Sequence, residues 1–293
     1  MRREGSLAYG GHWKESEDNV TCDLLELVKG EQEDVNPESA DSPSGIGKLY
    51  NHSAWPNYLT ITPNIEAHWI NCCRILRVTQ KDAGLTAKEI VPDREADKKS
   101  SRVVFNAAVT LSAMRRLMMQ RRSFTLPDLS YVETIPPVIA RIILGGKTEG
   151  YAGFMPGIFE EALVTLQAKR PVYLLGGFGG ATEILAQAIL AKPRAARPPE
   201  LTVAWHAKMT PGFGKLVKSI KKFRRPRTIP SPKEAFDLLW AEILRARSNP
   251  AQILGTGLSG PETRELLASR DMNLAVRQVL RGLTRQNKLL APR

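Results

Sequence analysis

The sequence has no feature that would place it in a membrane. No run of about 18 or more apolar residues occurs in the chain, so no membrane-spanning helix is expected. The N-terminal residues MRREGSLAYGGHWKE lack the apolar core of a secretory signal peptide. These absences predict a cytoplasmic protein that has no membrane partner.

Cysteine is scarce. Cys22, Cys72 and Cys73 are the three thiols, and the adjacent pair alone cannot complete a tetrahedral metal site. The sequence therefore predicts no metal site, and we interpret the thiols as buried side chains.

Acidic residues are sparse beyond the first fifty positions. The net charge is +12, yet residues 1–50 carry more Asp and Glu than Lys and Arg, so the remainder is strongly basic. The densest run, Lys215–Arg227 (KLVKSIKKFRRPR), contains no acid. It predicts either a patch that binds nucleic acid or another anion, or a solvated loop and helix face. Only Phe213 and Phe223 are nearby for base stacking, which favours the solvated face.

The most informative stretch, 141–190, repeats one pattern twice. An apolar run, first Ile142–Leu144 and then Val172–Leu175, reaches a glycine pair, and a glycine-containing loop and a helical period follow. Apolar runs bounded by glycine are typical of buried parallel strands, which a helix joins into a right-handed βαβ unit. Because open α/β sheets bind ligands at the carboxyl ends of their strands, the pattern predicts an anionic ligand held there by backbone amides.

Periodicity and turn residues predict the other elements. The predicted strands are Leu7–Tyr9, Asn57–Thr62, Ile75–Val78 and Leu201–Ala204, with a start at Ile139 for the strand that contains Ile142. The predicted helices are Thr21–Lys29, Pro63–Cys72, Val103–Arg122, Ile158–Leu166, Ala181–Leu190, Pro232–Arg247, Pro261–Ala268 and, after a cap at Asp271, Leu274–Leu283.

These elements predict an α/β fold, with a Rossmann-like, mostly parallel sheet flanked by helices in a single domain with a helical C-terminal extension. We expect residues 1–230 to form the Rossmann-like domain, with 30–48 and 81–101 as loops or disordered segments. Residues 231–293 are expected to pack as C-terminal helices on the same domain.

The segment Gly176–Thr182 (GGFGGAT) has the order strand, glycine-rich turn and helix. Its spacing departs from the G-x-G-x-x-G fingerprint, and no acidic residue ends a following strand about 20 residues later, so dinucleotide binding is disfavoured. Gly179, Gly180 and the Thr182 hydroxyl at the helix start still predict a phosphate cradle. The alternative is a tightly packed turn that holds no ligand.

Two charged pairs are further candidates. Glu160 and Glu161 lie near the start of a predicted helix, where the helix dipole favours acids, and adjacent carboxylates cannot both face one ligand. Arg115 and Arg116 lie late in the predicted helix Val103–Arg122. They predict either side chains that extend to water or a guanidinium that binds phosphate in a bidentate manner.

Four motifs together resemble the SLOG superfamily of Rossmann-like proteins. They are MRRLMM (Met114–Met119), ARIILGG (Ala140–Gly146), PGIFEEAL (Pro156–Leu163) and KRPVYLLGG (Lys169–Gly177). The superfamily includes the Lonely Guy phosphoribohydrolases and ligand-sensing domains of TRPM channels and of Thoeris-type anti-phage effectors. The order of the motifs and their strand–loop–helix context are similar to those of the Lonely Guy signature.

The chain resembles more closely a bacterial SLOG group found with defence and TIR-associated genes. LAYGG (Leu7–Gly11), AWP (Ala54–Pro56) and VYLLGGFGGA (Val172–Ala181) carry this likeness, which covers most of the chain from Leu7 onward. The resemblance implies a sensor that binds a nucleotide or nucleotide-derived signal in a glycine-rich pocket. It also implies a TIR-type or other effector protein and a second copy of the chain as partners, with no cofactor.

The motifs and the glycine turns together give the candidate site residues. The candidates for ligand binding are small residues at strand ends and helix starts: Gly10, Gly11, Gly145, Gly146, Gly157, Gly176, Gly177, Gly179, Gly180 and Thr182. The candidates for catalysis or charge neutralisation are Arg115, Glu160 and Glu161.

The chain also departs from the hydrolase pattern. Ten residues separate Gly146 from Gly157, where the hydrolases have a single residue, and Ile158 stands where they have Thr. We expect the longer loop to wrap a larger nucleotide, with Tyr151 or Phe154 stacking on the base. A strand and helix that family members carry ahead of LAYGG are expected to be absent.

These departures favour binding over hydrolysis and leave two alternatives open. The first is a nucleoside monophosphate N-glycosidase, in which Glu160 or Glu161 stabilises the transition state or activates water and Arg115 holds the phosphate. The second is nucleic-acid binding through the basic segment 215–227.

Overall fold

The structure is a computed structural model that describes residues 6–11, 13, 21–33, 49–98, 100–125 and 132–290. The chain divides into two compact units, Met1–Met114 and Arg115–Arg293. Both units contain parallel strands accompanied by helices, so the α/β, Rossmann-like fold class predicted from the sequence is confirmed. The predicted division at residue 230 stays a prediction.

The first unit contains a sheet of three parallel strands in the order β1–β2–β3. Its elements are β1 (Leu7–Tyr9), α1 (Thr21–Glu33), β2 (Leu49–Ala54), α2 (Pro63–Trp69), β3 (Cys73–Val78) and the first part of α3 (Ser101–Leu117). The predictions of β1, α1, α2, β3 and α3 are thus confirmed, with shifts of a few residues at their ends. The predicted loop 30–48 begins inside α1, and residues 34–48 lie outside the described part.

The sequence pattern missed β2. The predicted strand Asn57–Thr62 is wrong, because Asn57–Thr60 forms a 3-10 turn and the strand precedes it at Leu49–Ala54. The reason is the composition of β2, whose sequence LYNHSA lacks an apolar alternation although all six residues are buried.

Buried hydrogen bonds satisfy the polar centre of β2. The Asn51 Oδ1 accepts from the Trp13 indole N–H at 3.0 Å, and the Asn51 Nδ2 lies 3.4 Å from the Gly11 carbonyl oxygen to which it donates. Because a buried amide is stable only when its polar atoms are paired, these bonds explain why a polar residue lies in a central strand.

The segment 81–101 is more closely packed than the predicted surface loop. The Gln80 side chain donates to the Val91 carbonyl at 2.7 Å and accepts from the Val91 amide at 3.0 Å. The Asn106 side chain of α3 donates to Gln80 Oε1 at 2.7 Å, and Leu85 is buried. The segment therefore packs against α3, and apart from the 3-10 turn Asp93–Glu95 its described residues ahead of α3 form neither helix nor strand.

The second unit contains an antiparallel pair, β4–β5, and a parallel pair, β6–β7. Its first elements are β4 (Arg122–Thr125), β5 (Val132–Ile135), β6 (Arg141–Leu144), α4 (Gly157–Gln167), β7 (Val172–Leu175) and α5 (Gly180–Leu190). The predicted βαβ order of β6, α4 and β7 is confirmed. β7 is buried along its length, whereas Ile142 and Leu144 of β6 are exposed.

Six helices follow α5. They are α6 (Val203–Met209), α7 (Phe213–Ser219), α8 (Pro232–Ser248), α9 (Pro250–Leu254), α10 (Gly260–Ala268) and α11 (Met272–Leu290). The predicted strand Leu201–Ala204 is wrong, because the Thr202 hydroxyl accepts from the Trp205 amide at 3.3 Å and caps α6.

Capping residues fix the starts of the C-terminal helices that support the glycine turns. Ser231 and Ser259 form capping boxes with Glu234 and Glu262, and Asp271 caps α11 as predicted. α8 packs against α4 and α5, and α10 packs against α5 and β7.

The cysteines are only partly as predicted. Cys72 and Cys73 are buried, and burial raises the pKa of Cys73 to about 12, which keeps it a neutral thiol. Cys22 is exposed, so the prediction of a buried thiol is wrong there. Among the helices of the described ranges, none combines the length and apolar character needed to cross a membrane.

Candidate functional site

The glycine turns after β6 and β7 lie side by side in the second unit. The Gly145 carbonyl accepts from both the amide and the hydroxyl of Thr182, each at 2.9 Å, and the Gly146 carbonyl accepts from the Ala181 amide at 2.9 Å. Gly180 has φ +64°, and a Cβ there would collide with the Gly146 carbonyl oxygen. Neighbouring parallel strands therefore bring the two glycine pairs together at one end of the strand pair.

This contact occupies the start of α5. Ala181 and Thr182 are first-turn residues whose amides normally lack an intrahelical partner, and here carbonyl oxygens of the β6 turn fill that role. Thr182 is fully buried, so its hydroxyl links the two turns and does not face outward. The arrangement at Gly180–Thr182 is that of the tightly packed turn, the alternative that the sequence left open.

Gly176 and Gly177 pack equally tightly against the C-terminal helices. A Cβ at Gly176 would overlap the Ala186 methyl and the Leu267 carbonyl oxygen, and a Cβ at Gly177 would overlap the Ser269 carbonyl. Gly179, in contrast, has open space around its Cα. Close packing therefore accounts for Gly176 and Gly177 without a ligand.

The start of α4 has a different character. The amides of Gly157, Ile158 and Phe159 have no hydrogen-bond acceptor within the part of the chain that the structure describes, and no side chain caps the helix. Free first-turn amides together with the helix dipole favour an anion. Of the two helix starts predicted to bind phosphate, α4 is thus the one with more free amides among the described residues, three against the single Gly180 amide at α5.

Arg115 lies across this start of α4. Its Nη1 donates to Glu160 Oε2 at 2.6 Å, and its Nε is buried without a hydrogen-bond partner. A Cβ at Gly157 would come 2.8 Å from Arg115 Nη2, so glycine leaves the room that the guanidinium uses. The predicted residues Arg115, Gly157 and Glu160 therefore lie together.

Arg141 is a member of this cluster that sequence reasoning missed. Its Nη1 donates to Glu161 Oε2 at 2.7 Å and its Nε donates to the Thr165 hydroxyl at 3.0 Å. Arg115 Nε also lies 3.6 Å from Glu161 Oε1, within ion-pair distance. The sequence ARIIL did contain a signal, namely a charged residue at the start of an otherwise apolar strand. Since a buried arginine requires an acid close by, this residue could have been assigned to the cluster.

The two carboxylates differ in access. Each pairs mainly with its own arginine, as expected for adjacent side chains on a helix. The Glu160 side chain is 3% exposed, whereas the Glu161 side chain is 23% exposed. Glu161 is therefore the carboxylate that a ligand can reach, and Glu160 holds Arg115 in place.

The ten-residue insertion is anchored to the protein by its aromatic residues. Phe154 is buried, and Tyr151 makes edge-to-face contacts with His206 and Phe213 at centroid distances of 5.3 and 5.6 Å. Burial also raises the pKa of the Tyr151 hydroxyl far above its usual range. Phe154 is therefore not available to stack on a base, whereas Tyr151 is only half-buried and its stacking stays a prediction.

The histidine beneath this loop is fully buried in an aromatic cluster. His206 stacks on Phe236 with ring centroids 5.0 Å apart, and its Nε2 lies 2.7 Å from the Glu200 carbonyl oxygen, to which it donates. Nδ1 has no partner, so a proton added there would find no acceptor. Burial accordingly lowers the pKa of His206 below its usual value of 6.5.

Stability should therefore fall in acid because of His206. Its unfolded form gains a proton below about pH 6.5 before the folded form does, so the free energy of unfolding decreases as the pH falls through that range. We expect His206→Gln to reduce this slope by up to about 1.4 kcal/mol per pH unit, measured by denaturant unfolding between about pH 7.5 and 5.5. Equal slopes in the two proteins would contradict this assignment.

The remaining predicted residues belong to other elements of the chain. Gly10 and Gly11 follow β1 in the first unit, where Gly11 accepts from Asn51, and their role in binding stays a prediction. In the basic segment 215–227, the Arg225 Nη2 lies 3.4 Å from a carboxylate oxygen of Glu234. Phe213 beside the segment is buried, so its ring is not available to stack on a base.

Comparisons with known proteins give one match. A search of the curated proteins and a search of the solved structures each found no match. The family model described as SLOG cluster2 matches residues 1–238, which is most of the chain. The chain therefore belongs to the SLOG cluster2 family.

Proposed function

We propose that the protein binds a nucleotide or nucleotide-derived signal whose phosphate lies at the start of α4. The observation that carries the proposal is the set of three first-turn amides, at Gly157, Ile158 and Phe159, that have no acceptor in the described part of the chain. Arg115 adds a cationic group beside Gly157. Amides at a helix start and an arginine are the usual donors to a phosphate group.

The residues around the start of α4 have separate roles in binding this ligand. The β6 turn lies next to the start of α4. In this turn Gly146 lies close to the Ile158 side chain, and Gly145 has φ +58° and open space around its Cα. Glu161 bonds a ribose hydroxyl, because it is the more exposed of the two carboxylates. Glu160 positions Arg115 through the 2.6 Å ion pair.

A sensor fits this chemistry better than a hydrolase. Both carboxylates are ion-paired with arginines, so their oxygens are already engaged by cationic donors and are less available to bind and activate a water molecule. A sensor requires a second protein to act on the signal, which fits an effector of the TIR type as the partner. Hydrolysis of a nucleoside monophosphate, with Glu161 as the catalytic group, is the alternative that the exposure of Glu161 supports.

A matched pair of glycine variants tests the proposal. Gly157 and Gly260 are both the first residue of a helix, but a Cβ meets the Arg115 guanidinium only at Gly157 and open space at Gly260. We expect Gly157→Ala to weaken binding of AMP or ADP-ribose about tenfold, since a displaced charge-assisted bond is worth about 1.5–3 kcal/mol. Gly260→Ala should bind like the parent protein in isothermal titration calorimetry.

Two further measurements separate the alternatives. Adenosine, which lacks phosphate, should bind far more weakly than AMP, and equal affinities would remove the support for a phosphate site. The second measurement is the release of free base when the protein is incubated with a panel of nucleotides. Release by the parent protein that is lost in Glu161→Gln would identify a hydrolase instead of a sensor.

A further inference from the structure

The second unit contains another charged cleft, at the opposite end of α4. Its volume is about 710 Å³. The charged residues that line it are Arg116, Arg225, Arg227, Glu234 and Asp237, and Gln167 lies among them. The eleven residues of α4 span roughly 16 Å at 1.5 Å per residue, so Gln167 at its C-terminal end is well separated from Gly157 at its start.

The cleft has an excess of positive charge. Glu234 accepts from the Ser231 amide at 2.7 Å and lies 3.4 Å from Arg225. Asp237 accepts from Arg197 at 2.8 Å and from Lys233 at 2.9 Å, two cations that lie outside the lining. Both acids thus have cationic partners of their own.

Arg116 and Arg227 keep uncompensated charge. Neither residue has an ion pair within the ranges that the structure describes. An anion entering the cleft therefore meets two guanidinium groups that no protein carboxylate has neutralised.

Two guanidinium groups of the cleft also have unused donors. The Nε atoms of Arg116 and Arg225 are buried and have no hydrogen-bond partner. Burial lowers the pKa of Arg116, with an opposing contribution from the charge of Glu160. A buried donor without an acceptor is unfavourable, so these two arginines keep hydrogen-bonding capacity that the described part of the chain does not use.

We propose that this cleft binds a small molecule that carries at least two phosphate groups, at a site separate from the start of α4. Its volume lies in the range of about 300–1,000 Å³ that small-molecule sites occupy. The planar fork of arginine matches phosphate oxygens in a bidentate manner.

A small molecule fits the cleft better than nucleic acid does. Phe213, beside the basic segment, is buried and offers no surface for base stacking. Lys221 and Lys222, exposed in the same segment, do not line the cleft.

Titration of the full chain with inorganic tripolyphosphate tests the proposal. At physiological ionic strength, where the Debye length is about 8 Å and diffuse attraction to the basic surface is largely screened, we expect measurable binding by calorimetry. The double variant Arg225→Gln/Arg227→Gln should weaken this binding about tenfold or more, because two charge-assisted contacts are lost. The single variant Arg227→Gln changes an exposed residue and should show part of the loss with an unchanged Tm.

The matched control removes equal charge from the same segment without touching the cleft. Lys221→Gln/Lys222→Gln should retain binding within about twofold, since diffuse surface attraction contributes little once contacts are specific. An equal loss in this control overturns the proposal, as does absence of binding by the parent protein. If Gly157→Ala is the variant that loses tripolyphosphate binding, the binding belongs to the start of α4 and the proposal is overturned. If Gly157→Ala retains the binding, the result supports a separate site.

Discussion

Replacing Gly176 by alanine should lower the free energy of unfolding by about 3 kcal/mol or more. The added Cβ would overlap the Ala186 methyl of α5 and the Leu267 carbonyl oxygen of α10. Neither group is the far end of a flexible side chain, so relief requires that a helix backbone moves. Because close-packed interiors relax only in part, most of the overlap is expected to appear as lost stability.

Denaturant unfolding of Gly176→Ala and Gly214→Ala measures this effect. Gly214 lies inside α7, and a Cβ there would have its nearest neighbour at an ordinary 3.9 Å. Alanine at this first-turn position should therefore leave the stability unchanged or raise it by less than the roughly 0.5–1 kcal/mol gained in the middle of a helix. Similar unfolding midpoints for the two variants would show that α10 does not pack against the β7 turn as described.

The same contact explains how far the sequence could predict this region. Apolar runs that end at glycine pairs correctly indicated β6, α4 and β7, because the helical and extended patterns there are uninterrupted. The sequence did not show why glycine is required at each of these positions. Gly176 is required by packing against α10, a helix about ninety residues away in the sequence, and no local pattern reports such a contact.

The errors elsewhere share a physical cause. β2 was missed because Asn51 lies in a buried strand only by virtue of bonds to Trp13 and Gly11, both distant in sequence. The hairpin β4–β5 was also missed, because its strands are short and the prolines within 123–137 are turn signals. Tertiary partners, not local propensity, decide these segments.

The candidate site shows the same division. The motifs identified Arg115, Gly157, Glu160 and Glu161, and the structure brings these four residues together. The carbonyl groups of the β6 turn determine which helix start keeps free amides. The sequence does not show the direction in which these carbonyl groups point. The Ala181 and Thr182 amides of α5 donate to carbonyls of the β6 turn, whereas the three first-turn amides of α4 have no acceptor in the described part of the chain.

Removal of the Glu160 carboxylate should be the most damaging single change in this cluster. The side chains of Arg115 and Glu160 are 10% and 3% exposed and lie 2.6 Å apart, so Glu160→Ala leaves a guanidinium out of water without its closest partner. Loss of one member of a buried pair costs about 3–5 kcal/mol, and we expect a decrease of this size in the free energy of unfolding. Glu161→Ala should cost less, since water reaches that more exposed position.

A double-mutant cycle separates the roles of this pair. Replacing both residues by methionine removes the unpaired charge, so Arg115→Met/Glu160→Met should recover most of the stability that Glu160→Ala loses. The recovered protein should nevertheless fail to bind AMP in calorimetry, because the cation that accompanies the α4 amides is gone. A double variant that folds and binds normally would show that Arg115 serves only the packing of α4, whereas one that remains unstable would show that the ion pair contributes net stability of its own.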